Sequence, residues 1–161
     1  MIDQLLLQRA AAVGERLKAA GQTIGVAESS SGGLISAALL AVPGASAFYR
    51  GGAVVYTARA RASLLGLTRE DVAGMRSASE PYALRLAQAV RDNLGADWGL
   101  SETGAAGPSG NGYGDAAGHT CLGVAGPVES AVTLETASPE RQANMTAFAV
   151  RALDLLAAAL S

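Results

Sequence analysis

An α/β layered domain with a mixed sheet is the fold class this sequence predicts, and three observations predict it. Helical apolar periodicity alternates with short runs rich in valine, glycine and alanine. The last two such runs are joined by a turn short enough for a hairpin. Half of the 161 residues are hydrophobic, which supports one well-buried core and is short for two domains. Helices alternating with buried strands imply parallel pairing, and the terminal hairpin makes the sheet mixed.

Each element has its own warrant. Leu5, Leu6, Ala10, Val13 and Leu17 recur at helical spacing and Gly21 closes the segment, so a helix is expected over 2–20. A strand over 23–27 follows, then a helix over 32–41 that Pro43 and Gly44 stop. The valine-rich run 51–56 reads as a second strand and 58–65 as a helix. Thr68 with Asp71 three residues on resembles a capping box for a short further helix. Ser79-Glu80-Pro81, with serine as cap and proline in the first turn, opens a long helix that runs to Gly95. Residues 98–101 form a short strand, and after a glycine-rich loop come strands over 120–125 and 131–136, joined through Gly126-Pro127-Val128-Glu129. Ser138-Pro139-Glu140 starts the last helix. No internal repeat or linker interrupts this order, so a single domain over 1–161 is expected.

Composition excludes several function classes. A net charge of −2 with 12 Lys and Arg and no basic cluster argues against a nucleic-acid surface, whose affinity depends on neutralising phosphates. The expected partner is a small molecule. The single cysteine, Cys121, cannot form an internal disulfide, and the first residues lack the basic region and apolar run of a secretion signal. The most apolar tail, 143–160, is interrupted by Arg151 and Asp154 and falls short of the ~20 apolar residues of a membrane span. A cytoplasmic protein without membrane attachment is the expectation.

Three constellations carry possible chemistry. The apolar run 23–27 gives way to Glu28, three hydroxyls, Ser29, Ser30 and Ser31, and two glycines, Gly32 and Gly33, before Leu34 opens a helical pattern. Such a strand–turn–helix junction collects free N–H groups at the positive end of a helix and suits an oxyanion or phosphate. The plainer reading, favoured on the turn alone, is that one serine caps the helix while the glycines let the chain turn. The second constellation is the stretch 103–118, which holds six glycines. Glycine backbone can approach an anion closely, but the spacing matches neither the Walker loop nor the dinucleotide fingerprint, and a flexible surface loop is an equal reading. The third is a strand ending in Tyr56, where strand ends point at the binding crevice, followed by Arg59 and Arg61. Two residues apart on a helix, the arginines cannot share a face, so at most one points into a site; pattern alone favours both being solvated.

In order along the chain stand Ala-Glu-Ser-x-x-Gly-Gly-Leu, Val-Pro-Gly-x-Ser, Gly-Gly-x-Val-x-Tyr, Leu-Leu-Gly and Thr-Gly-x-Ala-Gly-Pro. This set resembles the CinA C-terminal domain family over nearly the whole chain. The resemblance implies a three-layer α/β/α sandwich with a mixed, mostly parallel sheet, and assembly into homo-oligomers. Stand-alone members include nicotinamide mononucleotide deamidases, serine amidohydrolases that release ammonia from the carboxamide in pyridine nucleotide recycling and need no metal or cofactor. Larger members also carry an N-terminal nucleotide-handling domain, for which 161 residues leave no room.

Carried over by motif, the family's nucleophile falls on Ser29, its site tyrosine on Tyr56, and the hydroxyl of its glycine-loop motif on Thr103, with Arg141 matching a family arginine. The implied roles are attack by Ser29, an oxyanion held by N–H groups near Ser31, Gly32 and Gly33, and a nucleotide phosphate held by Gly104, Gly107 and an arginine. Arg61 stands where these deamidases place the lysine that activates the serine. A desolvated lysine can fall to a pKa of ~7–8 and accept a proton, whereas an arginine, far more basic, stays charged. Glu28, Glu102, Asp115 and His119 are the other candidate bases. Further departures are Ser30-Ser31 for Cys-Thr, Ala58 for asparagine, and Asp115-Ala116-Ala117 where a basic residue and proline are common. Two readings follow: an amidohydrolase impaired by Arg61, or a degraded relative that binds a nucleotide, a phosphorylated metabolite or a protein partner.

Overall fold

The computed structural model describes residues 1–161. In chain order the elements are α1 (Gln4–Ala20), β1 (Ile24–Glu28), α2 (Leu34–Leu40), β2 (Tyr49–Val54), α3 (Ala58–Leu65), α4 (Glu80–Leu94), β3 (Trp98–Ala105), β4 (His119–Ala125), β5 (Glu129–Glu135) and α5 (Arg141–Ala159). Helix ends follow local chemistry. The Asp3 carboxylate accepts the Leu6 N–H at 3.1 Å to cap α1, and Gly21, at φ 65°, closes it. Thr57 and Ser79 cap α3 and α4 in the same way.

The sheet runs β2-β1-β3-β4-β5. β1 pairs parallel with β2 and β3, while β4 is antiparallel to β3 and β5. Only β4 therefore opposes the common direction, and the sheet is mixed as expected, with two parallel and two antiparallel pairings. Helices α1, α2 and α5 cover one face through a core that includes Leu6, Leu17, Ile35, Leu100, Leu122 and Leu153. α3 and α4 cover the other, with Leu65, Tyr82, Leu86 and Val90 packed against Ala27 and Val55. The result is a three-layer α/β/α sandwich.

α4 lies unusually close to the sheet because two strands offer it glycine. A Cβ at Gly99 would sit 1.9 Å from the Ala87 carbonyl oxygen, and one at Gly123 would sit 2.7 Å from that of Ala83. The Ser101 hydroxyl donates to the same Ala83 carbonyl at 2.5 Å. This contact fixes the start of α4, and the residues before it, against the strand ends that build the site.

Four differences from the sequence reading exceed small shifts at element ends or bear on the site. β3 has eight residues rather than four, because β4 pairs with it from Gly99↔Ala125 to Ala105↔His119 and draws Thr103 and Gly104 into the sheet. Thr68 and Asp71 exchange their capping-box hydrogen bonds, yet the chain makes turns, not a helix, and Gly74 at φ 80° ends them. β2 stops at Val54, leaving Tyr56 beyond the strand. α5 begins at Arg141, since Ala137 adopts φ 57° and Ser138 Oγ accepts the Glu140 N–H before the helix starts. No helix is long and apolar enough to cross a membrane.

Candidate active site

The β1–α2 turn is built on two buried carboxylates. Glu28, 1% exposed, accepts the Ser31 hydroxyl at 2.7 Å and the Gly33, Ile35 and Ser36 N–H groups at 3.0–3.1 Å. Glu102, fully buried on β3, accepts the Ser29 and Ser31 N–H groups at 3.1 and 2.7 Å and the Ser30 and Thr120 hydroxyls at 2.6 and 2.8 Å. A buried carboxylate is tolerated only when its lone pairs are satisfied, and here both oxygens of each are. The positive end of α2 is thus neutralised from within the chain.

This arrangement corrects one sequence expectation. The N–H of Ser31 goes to Glu102, that of Gly32 to the Ser29 carbonyl, and that of Gly33 to Glu28, so none of the three is free to hold an oxyanion. Of the N–H groups from Ser29 to Ser36, only that of Ser30 has no acceptor in the protein. The hydroxyls are sorted as well. Ser30 Oγ and Ser31 Oγ are bound to the carboxylates, whereas Ser29 Oγ makes no hydrogen bond and opens on a cleft of about 290 Å³.

Tyr56, Arg61, Thr103 and Gly104 line that cleft with Ser29. Ser31, Gly32 and Gly33 do not. Arg59 is exposed, but Arg61 is only 8% exposed, which corrects the expectation that both arginines are solvated. Its Nε donates to the Leu67 carbonyl at 3.1 Å, its two terminal nitrogens have no protein acceptor, and it forms no ion pair. Thr103 Oγ1 accepts the Ala78 N–H at 3.3 Å. An adjoining cleft of about 450 Å³ shares Tyr56, Gly104 and Asn111 and is lined by Gly107 and Arg141. Arg141 donates to the Gly107 carbonyl at 2.5 Å and to the Tyr56 hydroxyl at 3.3 Å. Both clefts are of the size of small-molecule sites, roughly 300–1,000 Å³.

The loop over 106–118 closes the cleft through a polar clasp. Asp115 receives both terminal nitrogens of Arg76 at 2.5 and 3.1 Å, and Asn111 Nδ2 at 2.8 Å. Arg76, and then Asn111, hold the Asp115 carboxyl down at about 2. The Arg76 guanidinium also lies over the Tyr113 ring at 5.6 Å. His119 sits beneath, its Nδ1 facing the Glu135 carboxylate and its Nε2 2.7 Å from the Ala78 carbonyl and 3.5 Å from Asp115. Burial pulls the His119 pKa down, but the Ala78 carbonyl, Glu135 and Asp115 outweigh it and raise the pKa above the ordinary value. Two acceptors, one at each ring nitrogen, favour the imidazolium. All four alternative bases therefore have internal partners: Glu28 and Glu102 in the turn, Asp115 on Arg76, and His119 between its acceptors. No group of His, Cys, Asp and Glu residues suited to holding a metal ion occurs.

The family model for the CinA C-terminal domain matches residues 7–160. The chain belongs to the CinA C-terminal domain family. A CinA-like protein of Anaeromyxobacter sp. (strain K) is 39% identical over 145 residues, 90% of this chain and 36% of that protein. The CinA-like protein of Gloeothece citriformis is 38% identical over 71% of this chain and 28% of its own length. The chain thus spans about a third of these relatives. Among solved structures, a competence or damage-inducible protein from Enterobacter asburiae superposes with a TM-score of 0.90 at 29% identity, covering 99% of this chain and 100% of that one. A CinA superfamily protein from Enterobacter cloacae gives 0.89 at 30% identity, covering 97% and 92%.

Within this CinA domain, sequence reasoning missed the anchoring roles of Glu28 and Glu102 and the clasp of Arg76 and Asp115. A signal existed for the first. Glu28 ends an apolar strand, where a carboxylate must be either satisfied or removed to solvent. Nothing local to Arg76 or Asp115 announces a pairing across 39 residues.

Proposed function

We propose that this CinA-family chain acts as a single domain over 1–161 and is a serine amidohydrolase. Its substrate would be nicotinamide mononucleotide or a related amide, cleaved by Ser29 without metal or cofactor to the acid and ammonia. The observation that carries this reading is the sorting of the three serines: the Ser30 and Ser31 hydroxyls are anchored, and only Ser29 presents a free one to the cleft. Ser29 Oγ attacks the amide carbon, the carbonyl electrons move onto oxygen, and the Oγ proton passes to water. The unpaired Ser30 N–H is the donor available to that oxygen, in the position after the nucleophile. The leaving nitrogen takes up a proton and departs as ammonia, and water then hydrolyses the acyl-serine to a carboxylate. Arg141 and the glycine loop hold the phosphate. The resemblance also implies a cytoplasmic homo-oligomer.

A second reading is favoured by the engaged bases: a cleft in which no carboxylate or imidazole is free to take the Ser29 proton serves binding better than turnover. A general base is worth ~10²–10⁴ in rate, so the parent is expected to be slow rather than inert. Ammonia release from nicotinamide mononucleotide distinguishes the readings. Activity abolished by Ser29→Ala and raised by Arg61→Lys supports the enzyme. A silent parent and a silent Arg61→Lys variant, both folded, refute it.

A further inference from the structure

Arg61 is a buried cation with four of its five N–H donors unused. It is nine-tenths buried, forms no ion pair, and only its Nε has a protein acceptor. Asp71 forms no ion pair with it. That carboxyl is held below its ordinary range chiefly by the Thr68 N–H and hydroxyl, and Arg61 is the last of the influences on it. Burying a charge without a counter-charge is costly, and the cost is relieved when an anion enters. The start of α3 adds to the demand. Thr57 and Ala58 line the same cleft, Thr57 Oγ1 accepts the Ala60 N–H, and the Ala58 and Arg59 N–H groups have no acceptor. Beside these donors stand Ser29 and the rings of Tyr56, Tyr82 and Tyr113, walls suited to a flat ring. A further arginine without an ion pair, Arg141, lies in the adjoining cleft with the glycine loop, where it donates to the Gly107 carbonyl and the Tyr56 hydroxyl.

We propose that Arg61 and the α3 N-terminus recognise the carboxylate of an aromatic acid whose phosphate end reaches Arg141, so that this site prefers the acid to the corresponding carboxamide. The proposal rests on the nucleotide reading only for the phosphate end. A carboxylate offers two coplanar acceptors to the guanidinium fork. A carboxamide offers one acceptor and turns its NH₂ donors toward the arginine and the unpaired N–H groups. Losing a charge-assisted hydrogen bond of this kind corresponds to roughly 10- to 100-fold in affinity. If the amide is hydrolysed at Ser29, the acid formed remains held, and turnover is limited by its release.

Ligand-observed NMR with the whole chain tests this on two acid–amide pairs: nicotinate against nicotinamide mononucleotide, and benzoate against benzamide. The expected result is at least a tenfold preference for the acid in both pairs, lost in Arg61→Gln and partly retained in Arg61→Lys. Equal binding of acid and amide by the parent, which needs no variant to fold, overturns the proposal. So does a preference unchanged in Arg61→Gln, or the absence of binding by all four compounds. Displacement by inorganic phosphate that depends on Arg61, without carboxylate binding, would make the site a phosphate site and also overturn it. Acid preference in the benzoate pair alone, with neither mononucleotide bound, upholds the Arg61 assignment and refutes the nucleotide reading.

Discussion

The β1–α2 turn and the cleft beside it treat buried charge in opposite ways. In the turn, Glu28 and Glu102 each accept four hydrogen bonds, so that the Ser30 and Ser31 hydroxyls and every N–H from Ser29 to Ser36 except that of Ser30 have internal partners. In the cleft, Arg61 is nearly as buried but has one acceptor and no counter-ion, and Ser29 Oγ has no partner at all. The difference separates scaffold from site: a satisfied charge stabilises the fold, whereas an unsatisfied one is held in place by the fold and is available to a ligand.

The largest test of that contrast is Glu102→Ala. It leaves the Ser29 and Ser31 N–H groups and the Ser30 hydroxyl without acceptors and the Thr120 hydroxyl with only the Thr103 carbonyl, and a loss of about 3–5 kcal/mol is expected in urea denaturation. A loss below about 1 kcal/mol would show that the turn does not depend on the carboxylate.

A smaller effect is expected at His119. Its folded pKa is raised above 6.5, so its contribution is fully present below that value and is lost as pH rises through the folded pKa. Stability of the parent should therefore decline on the alkaline side of about pH 6.5, and His119→Asn should flatten that decline. Asp115 gives the opposite sign: held at about 2, it stabilises above the ordinary 3.8 and loses that contribution as pH falls toward 2. An alkaline limb that survives in His119→Asn would assign it to another group.

The smallest change in stability is expected at Arg61. Arg61→Met removes an unpaired buried charge and one bond to the Leu67 carbonyl, so unfolding should shift by no more than about 0.5 kcal/mol, or toward greater stability. A loss comparable to that of Glu102→Ala would make Arg61 part of the scaffold and erase the contrast.

The order of helices and strands, the cap at Ser79 and the closing glycines at 21 and 95 were read from the sequence, because each depends on residues within a turn of one another, whereas the caps at Asp3 and Thr57 were not. The family motifs likewise brought Ser29, Tyr56 and Thr103 forward, since strand–turn–helix junctions leave a local imprint. What the sequence could not decide was the state of each group. Three adjacent serines look alike along the chain, and only a carboxylate 72 residues away selects Ser30 for anchoring and leaves Ser29 free. Arg59 and Arg61 also look alike, and only the packing of α3 on the sheet buries one and exposes the other. Local hydrogen bonding writes secondary structure into the sequence, whereas burial and the pairing of charges are long-range sums that exist only once the sheet has brought β1, β3 and α3 together.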